Sequence, residues 1–234
     1  MKLIETLSTV IARVLLKKEV KNYEGAEEEL VSAAKSLAGL DLNLIKILSA
    51  EDIISLMKTS DIFAGRCLIS AELLKQYGDI LSDKGKAQES LNLYMKSLWL
   101  YLEAILTKEL PAPEDYYERV DFMIKNLALL EFPDQLKLKV FEYYEFSGRY
   151  SKAEDILFEL IESDFKNIHN TGKQFYRDLS LKTDDELING NFSREEIEDG
   201  LEEINNLLNS ETLDLISSSF VNFTISSHRS FASS

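Results

Sequence analysis

Two stretches of this chain carry the same spacing sixty-three residues apart, and that repetition constrains the fold more than any other feature. The first, YGDILSDKGKAQESLNLYMKSLWL, runs from Tyr77 to Leu100; the second, FEYYEFSGRYSKAEDILFELIE, runs from Phe141 to Glu162. Each has a glycine turn, Gly85 or Gly148. Five, nine and twelve positions on stand Ser90, Tyr94 and Ser97 in the first and Ala153, Leu157 and Leu160 in the second. A small residue lets two antiparallel helices approach closely, and a large one fills the gap beside it. The spacing therefore predicts helical hairpins with Ser90 and Ala153 buried at helix crossings.

Composition supports a helical reading of the whole chain. Three prolines and nine glycines in 234 residues are few, as long helices require. The length suits one or two domains with a sizeable core. The formal net charge of −15 argues against a nucleic-acid partner, because phosphate contacts need clustered Lys and Arg. The charge is uneven: residues 1–21 hold Lys2, Arg13, Lys17, Lys18 and Lys21 against only Glu5 and Glu19. A single cysteine, Cys67, excludes an intramolecular disulfide and reads as a core thiol in the apolar run RCLISAELL. No continuous apolar signal region and no membrane-length apolar segment is present, which places the expected location in the cytoplasm.

Apolar Leu3, Leu7, Val10, Ile11, Val14 and Leu15 recur at helical spacing in residues 1–18, with Lys17 and Lys18 at the negative pole. A second helix is expected over about 26–38, with Glu27, Glu28 and Glu29 in its first turn. LAGLDLNLIKILSAEDIISLM, Leu37 to Met57, reads as a loop and two short helices capped at Asp41 and Ser49. Further helices are expected over about 62–82, 86–108, 113–130, 133–147, 151–163 and 166–179. Leu110 to Pro113 acts as a stop and restart. Thr183 to Glu186 begins a helix that stops at Gly190, and Ser193 to Glu196 is a capping box opening a helix to about Asn209. Residues 210–234 are serine-rich, with some strand alternation in VNFTIS, Val221 to Ser226.

The hairpins 71–104 and 134–167 resemble the tetratricopeptide repeat through Tyr77, Gly78, Leu81, Ser90 and Tyr94 in one and Tyr144, Gly148, Ala153 and Leu157 in the other. They depart from it in lacking the terminal proline, and Phe141 stands where the second repeat should have a glycine. The whole chain also resembles an uncharacterised bacterial family of small tetratricopeptide-repeat-like helical proteins. The likeness rests on IETLSTVIARVLLKK, the Leu37–Met57 block, LLKQYGDILSDKGKAQESLNLYMKSLWLYLEAI, YYEFSGRYSKAEDILFELIE and NFSREEIEDGLEEI, and covers about residues 1–208. The resemblance implies an all-α array of helical hairpins, an α-α superhelix with irregular N-terminal helices, and assigns no activity. The expected organisation is an amphipathic helix over 1–21, a helical domain over 22–209 and a tail over 210–234.

No enzyme chemistry is legible. His169 and His228 have no Cys or second His at metal-ligand spacing, so no metal is expected. No HExxH, CxxC, GxSxG, phosphate-loop or Gly-x-Gly pattern occurs, so no cofactor is expected either. The acidic runs at Glu27–Glu29, Glu114–Asp115, Asp184–Glu186, Glu195–Glu196 and Glu202–Glu203 suit helix starts and solvated faces. The aromatics Tyr94, Trp99, Tyr101, Tyr116, Tyr117, Tyr143, Tyr144 and Phe146 suit interhelix packing or an aromatic-lined peptide groove.

In the resembling repeats the first helix of each pair lines a concave face. This implies a partner-binding groove made by Glu72, Lys75, Asp79 and Ser82 from one hairpin and Gln135, Leu138, Glu142 and Glu145 from the other. Such a surface is mostly acidic, which departs from repeats that clamp a C-terminal carboxylate. It selects a basic, partly apolar peptide or protein. The expected function is a non-enzymatic interaction module. The alternative is an adaptor that associates with itself or with a membrane surface through the basic, apolar-striped residues 1–18.

Overall fold

The hydrophobic periodicity resolves into helices joined by short turns. The computed structural model describes residues 2–108 and 114–208, and among them it holds helices and connecting turns without a strand. The order is α1 (Lys2–Glu19), α2 (Tyr23–Ala33), α3 (Leu42–Ile47), α4 (Ala50–Met57), α5 (Phe63–Asp83), α6 (Ala87–Leu106), α7 (Glu114–Leu127), α8 (Asp134–Phe146), α9 (Tyr150–Glu162), α10 (Ile168–Ser180), α11 (Asp184–Asn189) and α12 (194–208). The expected stop at Leu110–Pro113 and the whole serine-rich tail 210–234, His228 included, lie outside the described residues. Among the described residues no helix is long and apolar enough to cross a membrane.

One boundary differs instructively from expectation. α2 starts three residues earlier than the periodicity suggests, because the Asn22 side chain caps it by accepting from Gly25 N at 3.0 Å. Glu27, Glu28 and Glu29 therefore sit in the second turn. The helix then runs on through a wide π-turn, Ala34–Ala38, and ends at Gly39 with φ +70. The short helices α3 and α4 are capped as their sequences ask, by Asp41 accepting from Asn43 N (2.7 Å) and Ser49 from Asp52 N (3.1 Å). α11 carries a full reciprocal capping box between Thr183 and Glu186.

The chain divides into two compact units, Met1–Tyr143 and Tyr144–Ser234. The first is built on the antiparallel hairpin α5–α6. Gly85, φ +76, makes the turn. Ser90 Oγ donates to Gly78 O at 2.8 Å and Ser97 Oγ to Ala71 O at 2.7 Å, so both small residues tie α6 to the backbone of α5. A Cβ on Gly78 would lie 2.7 Å from the Tyr94 ring; the missing side chain is what lets the ring cross the helix. α1 and α2 pack on this hairpin, with Leu7, Val10, Val14, Ala26 and Leu30 in the core beside Cys67, Leu73 and Leu74. α7 packs on α6 through Tyr116, Val120 and Met123.

The second unit holds α9 to α12. Gly148, φ +71, makes the turn into α9, and Ala153, Leu157 and Leu160 are fully buried. Here the large residue Leu157 finds its glycine on the next helix: a Cβ on Gly172 of α10 would meet Leu157 at 3.2 Å and Ile204 of α12 at 3.0 Å. Phe175, Tyr176 and Phe192 fill the rest of this core.

Candidate functional site

The groove residues of α5 do not stand as a free acidic row. Glu72 is buried, 2% exposed, where the groove reading needs it at the surface. An isolated carboxylate there would cost far more than the fold can spare, so it must be paired. Gln76 Nε2 donates to one of its oxygens at 2.9 Å, while the Tyr101 hydroxyl and the Arg119 guanidinium both donate to the other. Burial first, and then the Glu72 carboxylate, push the Tyr101 hydroxyl well above its usual range. Burial works against the Arg119 charge, but Glu72 and the neighbouring tyrosines outweigh it and raise its pKa. The acid belongs to a charge-compensated polar core shared by α5, α6 and α7.

Asp79 is also neutralised. Its Oδ2 meets Lys75 at 3.0 Å and Lys18 of α1 at 3.3 Å, and its Oδ1 accepts from the Tyr94 hydroxyl at 2.8 Å. Burial and the Asp79 carboxylate push Tyr94 up to about 12. The basic end of α1 is used in the same way. Arg13 and Lys17 pair with Glu29 of α2 at 3.1 and 2.9 Å, and Lys18 also reaches Asp83. Glu27 takes Lys84 and the Tyr77 hydroxyl. Glu27 and Glu29 thus fasten α2 to its neighbours, a role that their place in the sequence did not reveal.

On α8, Gln135 is exposed and Leu138 half-buried. Glu142 shares Lys139 with Glu103 of α6, at 2.9 and 3.2 Å. Burial disfavours the Lys139 charge, yet the two carboxylates hold its pKa above the ordinary value. Glu145 is half-buried in the second unit. Tyr143, expected to offer apolar contact, is fully buried and donates to Asp121 Oδ1 at 3.0 Å; Phe146 is 38% exposed. Tyr117 stacks on Tyr143 with ring centroids 6.3 Å apart, so this pair of the aromatic set serves packing.

What the structure does assemble is a cleft of about 640 Å³ in the first unit, and Glu72 and Lys75 are part of its lining. Ile11 and Leu15 of α1 and Phe122 and Met123 of α7 supply apolar walls; Phe122 is 66% exposed and Leu15 44%. The floor is polar, made by Glu72, Gln76, Tyr101 and Arg119. Gln76 Oε1 is buried there without a hydrogen-bond partner, because its amide nitrogen is committed to Glu72. Gln76, Arg119 and Phe122 escaped the sequence reading. The one available signal was Arg119 itself, the only arginine between Arg66 and Arg149 in an acidic stretch. Among the described residues no group of His, Cys, Asp and Glu side chains could hold a metal ion.

The chain belongs to a family of unknown function, DUF6483, whose model matches residues 1–209 and so spans the twelve α-helices of the described residues. No curated protein and no solved structure matches it.

Proposed function

We propose that this family member is a non-enzymatic protein–protein interaction module, a tetratricopeptide-repeat-like array of hairpins that takes a peptide or protein segment on the helix faces beside Lys75 and Asp79. The observation that carries the reading is the α1–α5–α6–α7 cleft, where apolar walls with exposed Leu15 and Phe122 stand over a polar floor. An apolar anchor flanked by polar contacts is the usual chemistry of a recognised peptide side chain. The hairpin geometry supports the repeat-like part: Ser90 on the Gly78 carbonyl and Tyr94 across Gly78 are the close approach that such repeats use. Glu142, on α8 in the same unit, would add to the negative field that draws in a basic segment.

The test begins with affinity capture of a partner on the full chain. Phe122→Asp should then abolish binding, since it places a charge on the cleft wall. Glu142→Lys should weaken it and reduce its salt dependence, with little change in stability. A partner whose affinity survives both variants docks elsewhere, and this reading fails.

A second reading rests on α1, where Leu16 and Val20 are 62% and 74% exposed. It makes α1 the contact of an adaptor with itself or with lipid. Arg13, Lys17 and Lys18 are occupied by Glu29, Asp79 and Asp83, which favours α1 as a packed cap. Co-sedimentation with anionic vesicles that persists in Leu16→Glu/Val20→Glu removes the lipid version.

A further inference from the structure

A separate cavity of the first unit holds two lysines that form no ion pair among the described residues. It has a volume of about 540 Å³, within the range of small-molecule sites, and is bounded by α3, α4, α5, α6 and the start of α8. Leu81, Leu93, Met95, Trp99, Pro133 and Leu136 give it apolar walls. Lys46 and Lys96 line it together with Asn92 and Ser49.

These two lysines behave unlike four other half-buried ammonium groups of the unit. Lys17, Lys18, Lys75 and Lys139 each meet at least one carboxylate. Lys46 lies over the Tyr77 ring, 4.1 Å from its centroid, and Lys96 donates to the Lys46 carbonyl at 2.6 Å; among the described residues neither has a carboxylate within ion-pair distance. Burial pushes the Lys96 pKa down with no acid opposing it. One carbonyl uses one of three ammonium donors, and Lys46 retains its own three. In a chain of net charge −15, two such cations facing one cavity mark a place where negative charge is supplied from outside.

The charge balance limits what fits. Glu51 and Glu89 also line the cavity, and Glu89 is taken by Lys86 at 3.1 Å. Two ammonium groups against Glu51 leave one positive charge, which suits a monoanion better than a phosphate dianion. The walls ask for an apolar body attached to it.

We propose that the cavity lined by Lys46, Lys96, Asn92 and Trp99 binds a carboxylate joined to an apolar group, with the two ammonium groups on the carboxylate and the hydrocarbon against Trp99, Leu93 and Leu136. The carboxylate belongs either to a small organic acid or to the C-terminal residue of a peptide. The site is independent of the α1–α5–α6–α7 cleft and does not rest on the interaction-module reading.

Trp99 is the only tryptophan, so its fluorescence reports this cavity alone. The full chain is titrated with 4-phenylbutyrate, its neutral amide, acetate, inorganic phosphate, and a pentapeptide ending in Phe as free acid and as amide. A saturable Trp99 response to phenylbutyrate assigns the site to small acids; a tighter response to the free-acid peptide assigns it to chain termini. Lys46→Met and Lys96→Met should each weaken the preferred probe at least about tenfold, the scale of one charged hydrogen bond. Lys96 also caps α3, so thermal melts of both variants accompany the titrations, and Lys46→Met decides the matter if Lys96→Met unfolds. Three results overturn the proposal: no saturable response to either free acid, an amide that binds as tightly as its acid, or acetate or phosphate that binds as tightly as phenylbutyrate. Unchanged affinity in a folded Lys46→Met overturns it as well.

Discussion

Each unit sets a carboxylate under a tyrosine hydroxyl, buried in the first and half-buried in the second, and each seats a large side chain against a glycine, but they do so with opposite electrostatics and different partners. In the first, Glu72 receives Tyr101, Gln76 and the Arg119 cation. In the second, Glu154 receives the Tyr176 hydroxyl at 2.6 Å and meets no cation among the described residues: burial first, and then the neighbouring Glu196, Asp155 and Glu203, raise its pKa. Likewise Tyr94 lies across Gly78 within its own hairpin, whereas Leu157 meets Gly172 on the following helix. The same spacing in sequence can therefore close a hairpin on itself or fasten it to its successor. A carboxylate drawn in from solvent can be a paired cornerstone or a tolerated cost.

The largest expected effect breaks the Glu72 cornerstone. Arg119→Ala should leave a buried carboxylate without its counter-charge and lower stability by about 3 kcal/mol. Adding Glu72→Gln should restore much of that loss, because an uncharged amide can still accept from Tyr101. If Arg119→Ala leaves the denaturant midpoint unchanged, Glu72 is not held by the ion pair.

Ala153→Leu tests the second unit by volume. Ala153 is fully buried, and forcing three further carbons into a packed crossing should cost about 2 kcal/mol, read as a clear fall in melting temperature. A neutral result would show room that the packing denies.

The two glycines sharpen the contrast at a smaller scale. Gly78→Ala would place a methyl 2.7 Å from an aromatic ring that Asp79 anchors, and should cost about 1 kcal/mol even after the helix-propensity gain. Gly172→Ala would press, at 3.0 to 3.3 Å, only on the methyl ends of Ile204 and Leu157, which can yield; it should fall within about 0.5 kcal/mol of neutral. Equal penalties would erase the distinction between the two seats.

The smallest effect concerns Glu154, whose folded pKa is raised. The folded state then binds more protons than the unfolded one, so the stability at this site is present below the ordinary carboxylate value and lost as pH rises through the raised one. Glu154→Gln should stabilise the protein slightly at pH 7, by less than about 0.5 kcal/mol. It should bring no gain at pH 4. A gain that does not shrink on acidification would place its origin outside the titration of Glu154.

Much of the fold was legible because helix signals are local. The turns at Gly85 and Gly148, the caps at Asp41, Ser49 and Thr183, and the burial of Ser90, Ala153 and Cys67 all follow from residues within a turn or two of each other. The start of α2 was misread because Asn22 lies in what looked like a break, and its capping role shows only in the hydrogen bond to Gly25. The candidate site was far less legible. Glu72 was placed on the groove by its position in a hairpin, yet Tyr101, 29 residues on, and Arg119, 47 residues on, take it into the core. Lys46 and Lys96, 50 residues apart, converge because α3 and α6 both pack on α5, and they share no spacing a sequence could display.

By itself the sequence determined that this chain is helical, where most helices begin and end, and which small residues mark close crossings, since those properties depend on neighbours three to twelve positions apart. Only the tertiary structure decided which acids are paired, which lysines are left without a carboxylate, and that the cleft and the cavity exist. The physical reason is that electrostatic pairing and concavity depend on distance in space. Helices that meet from distant parts of the chain set those distances, and no local pattern encodes them.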